Sequence, residues 1–385
     1  METNKTKVCH LAAVHKLNDM RVYEKECKSL AANGFDVTLI GFGEQEHSDQ
    51  AHGVKRIWLH CPIKNHLEIL TRRNRLLLNK AMEEDAAIYH LHEPELLPLG
   101  LKLKRAGKKV VFDSHEFYGW QLKENIHKIK IMRVPAWMMK LVGGLYMQYE
   151  KFVCKRIDAV VQVCTLHGKD YFEKRCAQTV FIQNLPDVRD YSPSVPADGK
   201  DTHTVTMIGG LTESRGITQL VKACAKAGAR LVLAGKFIPA CYEETLKHLP
   251  EYNCVDFRGF LDKQGMLGVL NECFIGASTL LHVGQYSRID TLPTKVYDYM
   301  AMEMPVIMSD TDYAKKMNGK YSFGICVNPS DVDGIADAIG FLMAHPDEAM
   351  RMGKNGRKAV LEAFNWEDEA HKLVALYHRL TQGPA

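Results

Sequence analysis

Residues 205–223 read VTMIGGLTESRGITQLVKA: a β-branched apolar run, two glycines, a polar turn, then apolar residues at helical spacing. A strand that passes through a glycine turn into a helix is the building unit of a doubly wound parallel sheet. Gly209 and Gly210 let backbone approach an anion, the helix start offers unpaired N–H groups, and Arg215 adds a permanent charge, so the stretch suits a diphosphate. A Gly-Gly pair alone is more often just a tight turn.

The same alternation continues in both directions. Upstream, apolar β-branched runs recur at Val8–His15, Asp36–Gly41, Val54–Leu59, Ala87–His92, Lys109–Asp113, Asp158–Cys164 and Thr179–Gln183, with helical patterns between them. Downstream come ARLVLAGKF, VDFRGFL, GASTLLHV, PVIMSD and GICV, again spaced by helices. Between the two series, DVRDYSPSVPADGKDTH (187–203) is rich in turn formers. The expected fold class is α/β: two doubly wound, Rossmann-like domains facing across a cleft where the carboxyl ends of both sheets meet. The expected boundaries are 1–190 for the first domain, 191–203 for a linker, 204–365 for the second domain and 366–385 for a helix returning to the first domain.

Composition agrees with such a chain. Its 385 residues are 46% hydrophobic and 25% charged, which suits large buried cores. The net charge of +4 is too small for a nucleic-acid-binding tail, so no nucleic acid is expected as a partner. The 11 cysteines form no C-x-x-C pair and read as reduced, buried thiols. The N-terminus has no leader-like apolar run, and no stretch of about 18 uncharged apolar residues occurs. The expected location is cytoplasmic, with peripheral association at the inner face of the cytoplasmic membrane as an extension.

Residues 288–310, RIDTLPTKVYDYMAMEMPVIMSD, hold two acids, Asp290 and Asp298, with the seven residues TLPTKVY between them. Asp290 or Thr291 is expected to cap a helix whose first turn contains Pro293. Thr291, Lys295 and Asp298 then share one face. An acceptor-only carboxylate at Asp298 suits the vicinal diol of a ribose, with phosphate at the helix mouth. Taken singly, Asp290 reads as a cap and Asp298 as a solvated face residue.

The whole stretch resembles the donor-site motif of retaining GT-B glycosyltransferases of family 4, E-x7-E followed by AMA-x-G-x-PVI, with both acids shortened to Asp here. DMRVYEKECKSLAANGFDVTLIG, IYHLHEPELLPLGLKLKRAGKKVVFDSHE and IGGLTESRG are similar to the family's first helix and second strand, acceptor domain and phosphate loop. The resemblance implies that Asp298 binds ribose, Asp290 lies near the donor sugar and Arg215 holds phosphate. It also implies that His115 stands near donor sugar and acceptor. The usual Gly-Arg after the strand is Gly209-Gly210 here, so one phosphate cation is missing; Lys295 or Lys236 is the replacement. Pro293 removes one backbone donor, which leaves Leu292 and Thr294 to supply N–H contacts.

In the first domain, Asp19 and Arg21 lie in the loop after the first strand and read as acceptor or phosphate contacts, with a surface ion pair as a close alternative. His92 and Glu93 end the fourth strand, and His115 and Glu116 follow the fifth. These residues match no H-E-x-x-H spacing, so no metal and no cofactor are expected. The basic amphipathic stretches NHLEILTRRNRLLLNKAM and WQLKENIHKIKIMRVPAWMMKLVGGLYMQYEKFVCKRI read equally as helices on an anionic membrane and as helices packed on the sheet. The expected function is transfer of a hexosyl unit from a UDP- or GDP-sugar to a glycan or lipid-linked hydroxyl acceptor. The catalytic candidates are Arg215, Asp290 and His115. The alternatives are a non-catalytic sugar-nucleotide-binding partner and a dinucleotide-dependent oxidoreductase, the latter opposed by the absence of G-x-G-x-x-G after the first strand.

Overall fold

A computed structural model describes residues 5–124, 136–195 and 199–382. Residues 125–135, in the middle of the second basic amphipathic stretch, and 196–198, in the expected linker, lie outside the described residues. The chain divides into two compact units, Met1–Asn184 with Glu367–Ala385, and Leu185–Trp366.

The first unit holds an eight-stranded sheet of order β3-β4-β2-β1-β5-β6-β7-β8. Its strands are β1 (Lys7–Leu11), β2 (Asp36–Gly43), β3 (His47–Ala51), β4 (Val54–His60), β5 (Ile88–Leu91), β6 (Lys109–Ser114), β7 (Ala159–Gln162) and β8 (Thr179–Phe181). All neighbours are parallel except β3 and β4. In β1 and β5 nearly every residue is buried, as expected of parallel strands covered on both faces. The antiparallel β3 escapes sequence reading because HSDQA is polar and lies on the sheet edge. His52 (φ 53°) and Gly53 (φ 75°) turn it into β4, the paired positive φ values of a two-residue hairpin turn.

The second unit holds a wholly parallel six-stranded sheet of order β11-β10-β9-β12-β13-β14. These are β9 (Asp201–Ile208), β10 (Arg230–Ala234), β11 (Val255–Phe257), β12 (Cys273–Ser278), β13 (Val306–Ser309) and β14 (Gly324–Val327). One face packs Val205 and Met207 with Leu220 and Ile335, and the other packs Ile208 and Val232 with Tyr299 and Met300.

Residues 187–203 differ from the expected linker, and the first unit ends at Asn184 instead of 190. Leu185 and Tyr191 are buried in the second unit's core. Lys200 donates to the Leu270 carbonyl at 2.8 Å. Turn-forming composition matches the mostly irregular backbone of the described residues 187–195, but β9 already begins at Asp201, and a few apolar side chains suffice to fasten such a segment to a core.

Candidate functional site

In the second unit the chemistry gathers at the carboxyl end of β9. Gly209 has φ +106°, and a Cβ added there would stand 3.4 Å from Arg215 Nη1 and 3.7 Å from Lys295 Nζ. A guanidinium and an amine therefore stand beside one backbone position. Arg215 donates from Nη1 to the Gly210 carbonyl at 3.0 Å, which folds its guanidinium over the glycine turn. Gly216, at φ +70°, follows and caps the helix Ile217–Ala227; a Cβ there would lie 2.0 Å from the Thr279 carbonyl. This close approach packs the loop that carries Arg215 against the end of β12.

Lys295 is buried, with Nζ 3.7 Å from the Met207 sulfur. Burial holds its pKa well below the usual lysine range, and the nearby Arg215 charge lowers it further, while Asp298 opposes both. Lys236 takes another direction: its ammonium stands 4.8 Å over the exposed Phe260 ring. Of the two expected replacements for the missing phosphate cation, Lys295 is the one brought to Arg215.

The helix carrying Lys295 and Asp298 spans Thr294–Ala301. Its N-cap is Pro293, at ψ 139°, and no side chain caps it, which corrects the expectation that Asp290 or Thr291 would do so. Asp290 and Thr291 precede the helix in irregular backbone, so Thr291 does not share its face. The physical reason is that a residue before proline is driven to extended backbone, and the helix starts only after it. Leu292 is corrected as well: it is buried, and its N–H already donates to the Tyr297 hydroxyl at 3.3 Å. Thr294, exposed in the first turn, keeps an N–H with no intrahelical acceptor.

Tyr299 fixes the helix against the sheet. It fills the notch left by Gly276, where a Cβ would come within 2.3 Å of the ring, and its hydroxyl accepts from Ile208 N at 3.1 Å. Asp298, half-buried, accepts from the Tyr191 hydroxyl at 2.6 Å. Tyr191 was not singled out by sequence reading because it lies in the stretch read as linker. A hollow lined by Ser278, Leu280, Thr291, Leu292, Pro293 and Ser309 opens where β12 and β13 end.

The first unit contains a buried polar network around Asp113, the penultimate residue of β6. Arg21 grips Asp113 with two hydrogen bonds, Nε to Oδ2 at 2.9 Å and Nη2 to Oδ1 at 3.0 Å, and gives Nη1 to the Ile182 carbonyl at 3.1 Å. Its Nε is also 3.0 Å from Glu26 Oε1. All three charged residues are buried. Despite burial, the Arg21 guanidinium and neighbouring His115 hold Asp113 well below the usual carboxylate range. Burial, together with the Asp113 charge, pushes Glu26 well above it. His10 and His90 are register partners on β1 and β5, and His92 follows two residues on. His10 Nδ1 lies 2.8 Å from His92 Nε2, and His90 Nδ1 2.7 Å from the Tyr377 hydroxyl. Burial lowers the pKa of all three histidines.

Several expected acceptor contacts are thereby relocated. Arg21 is an interior residue, because a buried guanidinium needs the carboxylates that surround it. Asp19 caps the turn beside it, accepting from Arg21 N at 2.8 Å and Val22 N at 3.0 Å. His92 is buried in the histidine network. Glu93 accepts from the backbone N–H groups of Ala13, Val14 and His15 and lies 2.8 Å from His15 Nδ1, so it braces the loop after β1. These bonds hold its pKa at about 2 against the opposing effect of burial. His115, partly exposed, has Nε2 2.9 Å from Asp113 Oδ2, and its ring stands 4.8 Å from that of His15. Glu116 is exposed and accepts from Gln121 Nε2 at 2.5 Å. Sequence reading missed Asp113, Glu26, His10, His90 and Tyr377; the period-2 histidines in IYHLH were the available signal.

Residues 189–359 match the family profile described as Glycosyl transferases group 1. The MMP α-(1→4)-mannosyltransferase of Mycolicibacterium hassiacum is 22% identical over 263 residues, covering 66% of this chain and 62% of that protein. The GDP-mannose-dependent monoacylated α-(1-6)-phosphatidylinositol monomannoside mannosyltransferase of Corynebacterium glutamicum is 26% identical over 213 residues, 50% of this chain and 55% of that one. The chain thus spans less than two thirds of the length of these curated relatives. Sucrose-phosphate synthase from Thermosynechococcus elongatus superposes with a TM-score of 0.77 at 18% identity, covering 99% of this chain and 100% of that one. Anabaena HepE in complex with UDP-glucose gives 0.69 at 14% identity, with 97% and 99% covered. The fold, two parallel-sheet units, is that of GT-B structures.

Proposed function

Taking as premise that residues 189–359 are a glycosyl transferases group 1 domain, we propose that the chain is a retaining glycosyltransferase. It moves a hexosyl unit from a nucleotide diphosphate sugar to a hydroxyl acceptor, in surface-polysaccharide or lipid-linked glycan synthesis. The observation that carries this reading is the placement of Arg215 and buried Lys295 together beside Gly209. Two cations converging on one backbone turn favour a dianionic group between them, and a diphosphate fits that demand. Asp298, three residues beyond Lys295 on the same helix and held by Tyr191, supplies the acceptor for a ribose diol.

In the reaction, the bond from the acceptor oxygen to the sugar's anomeric carbon forms as the bond to the diphosphate oxygen breaks. Arg215, Lys295 and the Thr294 N–H stabilise the charge that grows on the leaving diphosphate. The acceptor proton passes to a leaving phosphate oxygen, and no separate general base is required. Asp290 takes a place near the donor sugar. His115, oriented by Asp113, positions sugar hydroxyls in the acceptor unit, and Glu116 offers an exposed acceptor carboxylate beside it.

The name of the Corynebacterium glutamicum relative makes GDP-mannose the first donor to test, with UDP-glucose, the ligand of the HepE structure, next. A thermal-shift panel of GDP-, UDP- and ADP-sugars should show one base raising the unfolding temperature, because a ligand of the folded state stabilises it. Labelled-sugar transfer should then follow that donor. Arg215→Ala should depress turnover by about 100-fold or more, as loss of one stabilising donor does elsewhere; near-normal transfer by this variant would remove the phosphate role. The shortened acids Asp290 and Asp298 favour one second reading, a non-catalytic sugar-nucleotide-binding partner. Binding without hydrolysis or transfer would favour it.

A further inference from the structure

The helix Ala136–Cys154 presents large apolar side chains to solvent: Trp137 is 67% exposed, Leu145 63%, Leu141 55% and Phe152 47%. With Val142 and Tyr149 they fall within an arc of about 140° on a 3.6-residue helix. The opposite face carries the buried residues Met139, Glu150 and Val153. The only acid in this helix is Glu150, which is buried and accepts from the Tyr171 hydroxyl at 2.8 Å. Lys140 and Lys151 lie along one edge of the apolar arc. On that same edge, an open hollow of about 310 Å³ is lined by Gly144, Met147, Gln148 and Lys151 of the helix and by Lys123, Lys174 and Arg175. Four of these seven residues are cationic and none is acidic; the nearest paired acid is Glu150, 3.7 Å from Arg175 Nη1.

We propose that this helix lies in the surface of an anionic bilayer, with Trp137, Leu141, Leu145 and Phe152 inserted among acyl chains and the adjoining basic hollow receiving a lipid phosphate. An apolar stripe bordered by cations is what a headgroup boundary recognises: the stripe leaves water, and the lysines meet the phosphates. The aromatic residue at one end suits the interface, where an amphipathic ring has both an apolar and a wet side. Among the described residues no helix is long and apolar enough to cross a membrane, so the helix lies along the surface. Charge complementarity selects this occupant over a second copy of the chain, which would bring one basic edge against another.

The test is sedimentation of the purified chain with sucrose-loaded vesicles of phosphatidylcholine alone or with about one third phosphatidylglycerol. Retention should be at least about tenfold higher on the anionic vesicles at low salt and fall at about 0.5 M salt. Leu141→Glu/Leu145→Glu should lose retention with an unchanged unfolding temperature, since both side chains are exposed. Lys123→Ala/Lys174→Ala should weaken it severalfold while leaving the stripe intact. Equal retention of wild type on both vesicle types, or undiminished retention of the leucine variant, would overturn the proposal. So would a dimer in sedimentation that the leucine variant abolishes, because a second copy would then cover the stripe. The readout is binding and needs no donor or acceptor, so its failure is distinguishable from failure of the sugar-transfer reading.

Discussion

Glu93 shows how far a residue's role depends on its neighbours. It stands where an acceptor contact was expected, yet three backbone N–H groups and His15 use its carboxylate. With a folded pKa of about 2 against about 4.3 unfolded, it contributes on the order of 3 kcal/mol. The folded value is depressed, so this stability is present above the unfolded pKa and is lost as pH falls from about 4 to about 2. Urea titrations of wild type and Glu93→Gln should differ at neutral pH and converge in acid. Glu26 and Asp113 make a second contrast. Burial and Asp113 push Glu26 upward, making it the more readily protonated of the two, so Glu26→Gln should cost less than Asp113→Asn. Asp113→Asn strands the buried Arg21 charge and should cost about 3–5 kcal/mol. At Lys295, burial and Arg215 lower the pKa of the amine, and an incoming diphosphate raises it. Nucleotide binding should therefore take up a proton at alkaline pH, measured by calorimetry in buffers of different ionisation heat. Affinity should fall as pH rises through the depressed pKa, and Lys295→Met should abolish the proton uptake.

At the scale of elements, the loop between β9 and the helix Ile217–Ala227 depends on a glycine for two reasons at once. Gly216 has φ +70° and abuts the Thr279 carbonyl, whereas Gly228, at φ +69° at the other end of that helix, has nothing within 4 Å of an added Cβ. Both substitutions to alanine strain the backbone, but only Gly216→Ala adds a collision with main chain. Gly228→Ala should cost about 1 kcal/mol, and Gly216→Ala clearly more, read from urea midpoints. Only Gly216→Ala should also weaken nucleotide binding, because it displaces Arg215. The helix Thr294–Ala301 shows a limit of local rules. Cap residues before a proline predicted a side-chain cap, but the proline itself became the boundary residue.

Across the whole molecule, the final helix Trp366–Gln382 puts Leu373, Leu376 and Tyr377 into buried positions, and Tyr377 reaches His90 of the first unit. Removing residues 367–385 should lower the unfolding transition of the first unit and leave that of the second nearly unchanged. Calorimetry can resolve the two, since a chain of separate compact units need not unfold in one step. A nucleotide diphosphate should raise only the second unit's transition.

Strand and helix alternation, both parallel sheets, the glycine turn and the Arg215, Lys295 and Asp298 candidates were legible from the residues themselves. The sheets and the glycine turn rest on periodicity and turn chemistry, which are local properties of a chain, whereas the roles of Lys295 and Asp298 were implied by the family resemblance. Helix geometry already favoured Lys295 over Lys236, whereas tertiary structure alone decided that Tyr191 holds Asp298 and that Arg21, His92 and Glu93 face inward. Each of these depends on which side chain, distant in sequence, arrives to satisfy a charge in a place that water cannot reach.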